Sequence, residues 1–121
     1  MAVPKSWVPD RRDIIWIDCN PQAGREMKDL HPMLVLSNRI FNERTSIVIG
    51  LPMSTSPINE TNPFAVKYAG SRGVVGYVLT HQPKSFDWRV RNAKPHPWKQ
   101  VSSSIFAASC ELLNEIIAIG V

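Results

Sequence analysis

Ten prolines are spread along this chain of 121 residues, and they restrict its fold more than any other feature of the sequence. Proline removes a backbone N–H donor and breaks helices, so an all-helical bundle is disfavoured. A hydrophobic fraction of 44% and a charged fraction of 20% are ordinary for a folded chain and argue against disorder. The length suits one hydrophobic core, so we expect a single domain over residues 1–121.

Short apolar runs separated by turn residues follow one another over the first three quarters of the chain. β-branched and aromatic residues dominate these runs, which is typical of strands. The second run is apolar almost throughout, so we expect that strand to be covered on both faces. The pattern predicts strands at residues 13–18, 32–37, 46–51, 64–68 and 74–80, with a continuation of the sheet at 84–89.

The segments between these runs are interpreted as loops and turns. Residues 38–45 are expected to form a polar connection, and Pro52 is expected to end the third strand. Residues 22–31 are polar without periodicity, which predicts an exposed loop of a length that is often functional. Gly76 lies inside a predicted strand and marks a bulge or the close approach of another group.

The hydrophobic period changes after Ser102. Apolar residues then recur at helical spacing up to Ile117, with serines that suit a cap at the start and Gly120 at the end. Five or six strands followed by one helix, without strand–helix alternation, predict a small antiparallel, barrel-like sheet. The expected fold class is therefore mainly β with a C-terminal helix.

Metal, cofactor and export classes find no support in the sequence. Cys19 and Cys110 are far apart and the histidines lack metal-ligand spacing, so neither a disulfide framework nor a bound metal is expected. A phosphate-binding glycine loop and a Gly-x-Ser-x-Gly elbow are missing, and we expect no cofactor. No apolar run suits a signal peptide or a membrane span, so a cytoplasmic location is the expectation.

Basic and aromatic residues are interleaved between residues 84 and 99. Five Lys and Arg residues stand there against Asp87 alone, together with two tryptophans and a phenylalanine. Cations bind phosphates and aromatic rings stack on unpaired bases, so this mixture and the net charge of +4 suit single-stranded nucleic acid. The same pattern also fits a solvated surface whose aromatic side chains fold inward.

Two histidines and a group of hydroxyls lie at the ends of predicted strands. Histidine exchanges a proton near neutral pH, which makes His31 and His81 candidates for acid–base chemistry. Ser54, Thr55 and Ser56 follow the third predicted strand, where hydroxyls are placed to hold a phosphate oxygen. Taken singly, each of these residues is better explained as an ordinary surface or loop residue.

Six short motifs follow one another along nearly the whole chain. Each motif is weak alone, whereas their order and spacing together are specific. They are residues 12–18 (RDIIWID), 24–26 (GRE), 31–37 (HPMLVLS), 51–55 (LPMST), 63–66 (PFAV) and 76–91 (GYVLTHQPKSFDWRVR). In this arrangement the chain resembles the MazF/PemK family of toxin endoribonucleases from type II toxin–antitoxin modules.

The resemblance implies an SH3-like antiparallel β-barrel, the fold of the CcdB and MazF toxins, assembled as a homodimer. Members of this family cut single-stranded RNA at short preferred sequences without a metal. Attack by the ribose 2′-hydroxyl leaves a 2′,3′-cyclic phosphate. The implied partners are single-stranded RNA, such as mRNA, and a cognate antitoxin, with DNA reached only through the antitoxin complex.

The chain departs from the family at the positions that carry the chemistry. His31 stands where the family has an arginine, and His81 where some members use an aspartate. Ser54, followed by Thr55, stands at the position of the family's threonine. We favour catalysis by His31 and His81 as an acid–base pair, with both hydroxyls donating to the phosphate. The alternative is a weakened site that retains only RNA or antitoxin binding.

RNA-binding residues are expected on the loop at 22–31 and in the block at 76–91. Arg25 or Lys28 is placed to supply the missing positive charge, and Glu26 matches a family glutamate that either orders the loop or acts in catalysis. The other expected RNA contacts are Gln82, Lys84, Trp88, Arg89 and Arg91. Competing functions are a gyrase-binding toxin of the CcdB kind and an SH3-like RNA-binding module without catalysis.

Overall fold

A computed structural model describes residues 6–19 and 30–120, apart from the side chain of Ser71. In this part of the chain the elements are β1 (Asp13–Asp18), β2 (Leu30–Val35), α1 (Arg39–Thr45), β3 (Ile47–Ser54), β4 (Ala65–Ala69), β5 (Val75–Leu79), β6 (Lys84–Asp87), β7 (Lys94–Gln100) and α2 (Ser103–Ile116). Short 3₁₀ turns lie at Pro57–Thr61 and Ser71–Gly73. The predicted class, mainly β with a C-terminal helix, is confirmed.

The strands form one curled antiparallel sheet in the order β4-β5-β3-β2-β1-β7. The strand β3 organises the curl because it changes partner along one edge. Its first half, Ile47–Gly50, pairs with β6, and its last residues, Met53 and Ser54, pair with β5. The other edge of β3 pairs with β2. The end of β3 therefore lies where the two parts of the sheet meet.

Hydrophobic clusters cover both faces of the central strands. On β1 and β2, Ile14 and Leu34 belong to one cluster, whereas Ile15 and Met33 belong to the other. This alternation follows from the strand period of two, which sends successive side chains to opposite faces. The expectation that the second strand is covered on both faces is confirmed.

The prediction of a polar connection at residues 38–45 is wrong, because this segment contains α1. The side chain of Asn38 caps the helix by accepting the Phe41 N–H at 2.8 Å. One turn later, Asn42 is fully buried, and its amide donates to the Pro9 carbonyl at 2.8 Å. Helices are usually recognised in a sequence by a stripe of apolar residues. In α1 the inward-facing residue is instead a polar side chain whose hydrogen bonds are satisfied.

The prediction that the third strand ends at Pro52 is wrong, because β3 continues to Ser54. Pro52 lies in the gap between the two partners on one edge, because β6 pairs only up to Gly50 and β5 begins at Met53. No ladder hydrogen bond on that edge requires the missing N–H, so proline is tolerated there. The extension makes Ser54 the last residue of β3.

The strand β7 was not predicted. Pro95 and Pro97 interrupt any alternation between residues 94 and 100, which is the usual sign against a strand. β7 follows β1 as the last strand in the sheet order, and proline is acceptable on such an edge. Its register on β1 shifts between Asp13 and Ile15, as expected for an irregular edge strand.

The C-terminal helix α2 begins as predicted. Ser102 caps it by accepting the Ile105 N–H at 3.2 Å, and Leu113 is buried against the sheet. The helix ends at Ile116, before Gly120. Across the described ranges, no helix is both long enough and apolar enough to cross a membrane.

The prediction of a close approach at Gly76 is confirmed. Gly76 pairs with Tyr68 across β4 and β5, and a Cβ on the glycine would lie 2.4 Å from the phenol ring. The bare glycine lets Tyr68 lie flat over β5, with its ring edge against Trp98 at a centroid distance of 5.8 Å. This packing forms part of the wall described next.

Candidate functional site

A groove of about 890 Å³ runs along the sheet where β1, β2, β3 and β7 meet the turn after β5. Polar and aromatic residues share its lining, which is a common composition for ligand sites. The lining residues are Trp16, Cys19, His31, Pro32, Pro52, Met53, Ser54, Thr55, Ser56, Tyr68, Val74, Leu79, Gln82, Lys84, His96 and Trp98. We refer to this surface as the groove.

Three of the four predicted catalytic residues line the groove. His31 is on β2, opposite Ile17 of β1, and is exposed. Ser54 is the last residue of β3, and Thr55 follows it. Within the described residues, the side chains of His31 and Thr55 make no hydrogen bond, so both are available to a ligand.

The Ser54 hydroxyl is already oriented. Its oxygen accepts the backbone N–H of Ser56 at 3.0 Å. A hydroxyl oxygen that accepts one hydrogen bond keeps its own hydrogen for donation, so Ser54 is prepared to donate to an oxygen in the groove. This is the role that the sequence assigned to it.

The 3₁₀ turn after this hydroxyl group is anchored to the sheet. In that turn, Glu60 accepts the Tyr77 hydroxyl at 2.6 Å and pairs with Lys67 at 3.1 Å. The hydrogen bond from Tyr77 and, to a smaller extent, the one from Lys67 lower the pKa of the Glu60 carboxyl. The contacts join the turn to β4 and β5 and thereby limit the movement of the chain that follows Thr55.

His81, the fourth predicted catalytic residue, does not line the groove but lies next to it. It follows β5, is exposed, and its ring centroid is 6.1 Å from that of Phe64. The Gln82 amide nitrogen is 3.2 Å from Nε2 of His81, and Gln82 lines the groove. His81 therefore lies beside the groove, next to the groove residue Gln82.

The predicted RNA contacts in residues 82–91 separate into two groups. Gln82 and Lys84 line the groove, and Lys84 brings a permanent positive charge to it. Arg89 lies 4.2 Å over the Trp88 ring and donates to the Ser46 hydroxyl at 2.6 Å. These contacts hold Arg89 against the end of α1, outside the groove lining.

The assignment of Trp88 to RNA stacking requires correction. Its side chain is only 6% exposed, and its indole N–H donates to the Asn42 carbonyl at 2.8 Å. Trp7 packs against its ring edge-on at 5.8 Å. A ring with no open face cannot stack on a base, so Trp88 is a core residue.

Arg91 is likewise outside the groove lining. Its guanidinium lies 4.4 Å over the Phe86 ring and donates to the Asp18 carbonyl at 3.0 Å. This joins the β6–β7 connection to the end of β1. Three further predicted contacts, Arg25, Glu26 and Lys28, lie outside the described residues.

Sequence reasoning missed the aromatic wall of the groove. Trp16 of β1 and Trp98 of β7 lie on either side of His96, with centroid distances of 4.5 Å and 5.1 Å to its ring. Only Trp98 was noticed, as part of a basic segment. The run PHPW at residues 95–98 could have indicated an aromatic surface, but its two prolines argue against a strand.

His96 differs chemically from the two exposed histidines. It is 7% exposed, and its Nδ1 accepts the backbone N–H of Trp98 at 3.0 Å. Burial lowers the pKa of His96, because removal from water disfavours the imidazolium. His96 is therefore neutral at physiological pH.

Cys19 and Tyr68 also line the groove, and neither is ionised there. Burial raises the pKa of the Cys19 thiol, against an opposing effect of Arg91. Burial raises the pKa of Tyr68 to about 12. Over residues 6–19 and 30–120, no group of three or more His, Cys, Asp and Glu side chains could hold a metal ion.

Comparisons with known proteins agree on one family. Residues 10–117 match the model of the PemK-like, MazF-like toxins of type II toxin–antitoxin systems. The endoribonuclease toxin MazF of Escherichia coli K12 is 36% identical over 87 residues, which cover 72% of this chain and 76% of the relative. The endoribonuclease PemK of Escherichia coli is 28% identical over 87 residues, covering 70% and 65%.

Solved structures give the same result. The crystal structure of MazF from Deinococcus radiodurans superposes with a TM-score of 0.78 at 29% identity, covering 93% of this chain and 99% of that one. A MazE–MazF structure from the same organism gives a TM-score of 0.81 at 29% identity, covering 94% and 99%. This chain belongs to the PemK-like, MazF-like family of type II toxin–antitoxin toxins.

Proposed function

We propose that this toxin is an endoribonuclease that cleaves single-stranded RNA in the groove without a metal ion. One observation carries the proposal: His31 on β2, and Ser54 and Thr55 at the end of β3, line the same groove as Lys84. A proton-transfer group, hydroxyl donors and a cation are chemical groups that can move protons and stabilise negative charge during cleavage of a ribose–phosphate link. Relatives named as endoribonucleases support the same activity.

The proposed reaction is an attack by the ribose 2′-oxygen on the adjacent phosphorus. A base takes the 2′-hydroxyl proton, the O2′–P bond forms, and the P–O5′ bond breaks. The leaving 5′-oxygen takes a proton from an acid. The products are a 2′,3′-cyclic phosphate and a free 5′-hydroxyl, so this step consumes no water.

His31 and His81 are proposed to share the two proton transfers. His31 lies in the groove with no hydrogen bond to another described side chain, and His81 is held at its edge beside Gln82. Ser54 and Thr55 donate hydrogen bonds to the phosphate oxygens, where negative charge grows in the transition state. Lys84 supplies positive charge from the groove, and Arg25 or Lys28, both of which precede His31 in the sequence, is proposed to add to it.

We further propose a cognate antitoxin as the inhibiting partner and a homodimer as the assembly. Solved complexes of MazE with MazF support the first partner. Exposed apolar side chains near the end of α2, Ile116, Ile117 and Ile119, offer a surface for a second copy. Action on mRNA would place the protein in the cytoplasm, and contact with DNA would come only through the antitoxin complex.

The test is incubation of the purified protein with a long single-stranded RNA in the presence of EDTA. Discrete fragments are expected, with 2′,3′-cyclic phosphate ends that acid treatment opens and with 5′-hydroxyl ends that a polynucleotide kinase labels. A variant with both His31→Ala and Ser54→Ala serves as the matched control for a contaminating nuclease.

Two results would contradict the proposal. Intact RNA, with or without inhibition of gyrase supercoiling, would show that this chain is not a nuclease and would favour a gyrase-binding or RNA-binding role. Cleavage that EDTA abolishes would show that a metal takes part.

A further inference from the structure

His96 presents a buried hydrogen-bond donor to the groove. The Trp98 amide can only donate, so the Nδ1 of His96 that accepts it carries no proton. In the neutral ring the proton is then on Nε2. His96 is thus fixed in one tautomer by the backbone of its own strand.

The Nε2–H of His96 has no hydrogen-bond partner within the described residues. Every fully buried side-chain nitrogen or oxygen in that part of the chain has a partner, so this Nε2 is not fully buried, and His96 lines the groove. A donor without a partner, on a groove-lining side chain that is more than nine-tenths buried, is prepared for an acceptor on a ligand.

The surroundings of His96 select a neutral ligand group. Half-buried indoles, Trp16 and Trp98, flank the imidazole and line the groove beside it. A phosphate would be bound better by a cation than by a neutral imidazole between two aromatic rings. A nucleobase has both a flat face for stacking and neutral acceptors on its edge.

We propose that Trp16, His96 and Trp98 form a base-recognition subsite, in which an unpaired nucleobase stacks on the indoles and accepts a hydrogen bond from Nε2–H of His96. The subsite rests on the proposed function, since it supplies the sequence preference of the RNA cleavage. His96 specifies the base, whereas His31 and the hydroxyls act on the phosphate. The subsite thus lies beside the proposed cleavage chemistry in the same groove.

The experiment measures base preference without cleavage. A random pool of 2′-fluoro RNA oligonucleotides, which lack the attacking hydroxyl, is selected for binding to the full-length protein. His96→Phe keeps a ring between the indoles but removes the donor. His96→Gln, the matched control, loses the ring but keeps an N–H of similar reach. Melting curves confirm that both variants are folded.

The wild-type protein is expected to enrich one base type at one position of the bound sequence. His96→Phe should lose that preference and bind the selected sequence about tenfold more weakly, whereas His96→Gln should retain most of it. A preference retained in folded His96→Phe, or a loss spread equally over all sequences, would overturn the subsite.

The two proposals fail separately in this design. Selective binding by the wild-type protein with no cleavage of ordinary RNA would contradict the nuclease and leave the subsite intact. Cleavage with no base preference would contradict the subsite alone. If His96→Phe instead loses only antitoxin binding, His96 belongs to a protein interface and not to a base subsite.

Discussion

The two halves of the basic, aromatic segment have similar composition and opposite roles. In residues 84–91, the tryptophan is a core residue, and both arginines lie over aromatic rings. In residues 94–99, His96 and Trp98 line the groove. The aromatic side chains of the first half pack within the fold, whereas His96 and Trp98 of the second half face the groove.

The difference arises from the strands that receive each half. Trp88 follows β6, which pairs with the central strand β3, and it packs in the buried cluster that contains Ile15 and Val48. By contrast, β7 lies on the edge beside β1, where Trp16 and the groove are its neighbours. Similar composition therefore leads to different locations, because the position of each strand in the sheet decides which side chains reach the groove.

The largest expected effect concerns the core half. Trp88→Ala should lower the free energy of unfolding by about 3–5 kcal/mol, because it leaves a cavity and removes the donor to the Asn42 carbonyl. Trp98→Ala should cost clearly less, since that indole is half exposed to the groove. Urea titration followed by circular dichroism measures both. Equal losses would remove the distinction between the halves.

The next effect concerns the proposed acid–base pair. His31→Ala and His81→Ala should each lower the RNA cleavage rate about a hundredfold, or about 2.7 kcal/mol of transition-state stabilisation, without unfolding the chain. Initial rates on a labelled RNA oligonucleotide measure this. Ser103→Ala, on the exposed start of α2, is the control. Wild-type rates in both histidine variants would eliminate the pair.

A smaller effect is the pH dependence of stability that His96 introduces. Its pKa is lowered in the folded state, so below about pH 6.5 the unfolded chain binds a proton that the folded chain does not. The free energy of unfolding should therefore fall as the pH falls below that value, by at most about 1.4 kcal/mol per pH unit. Urea titrations between pH 5 and about 8 should show a flatter curve for His96→Phe than for wild type. Parallel curves would contradict the assignment of a neutral buried imidazole.

The smallest expected effect is a difference between Lys84 and Arg89 in the salt dependence of RNA binding. Lys84→Ala should weaken RNA binding and reduce the slope of log affinity against log salt by about 0.7, the value for one phosphate contact to a single strand. Arg89→Ala should leave that slope unchanged, because Arg89 is held against Trp88 and Ser46. Fluorescence anisotropy of a labelled RNA at several salt concentrations gives both slopes. A larger slope change for Arg89→Ala than for Lys84→Ala would place the RNA outside the groove.

Much of the fold could be predicted because its strands are short, apolar and β-branched. The errors fall where a polar or proline-rich segment is stabilised by tertiary contacts. Asn42 stabilises α1 through its buried hydrogen bonds, and Pro52 is tolerated because β3 changes its partner strand there. Neither contact leaves a periodic signal in the sequence.

The candidate site was predictable only in part. The family resemblance singled out His31, Ser54 and Thr55, and these lie in one groove. The burial of Trp88 and the tautomer of His96 depend on contacts with residues distant in the chain or on local backbone geometry. No spacing rule encodes such contacts, so the sequence assigned Trp88 to RNA and gave His96 no role in the site.

Photochemical crosslinking of the protein to a bound, non-cleavable 2′-fluoro RNA, read by mass spectrometry, tests the location of the RNA most directly. The groove predicts adducts at Trp16, His96 and Trp98, with Trp88 and Phe86 unmodified. Adducts confined to residues 86–91 would place the RNA on the other half of the segment and contradict the account.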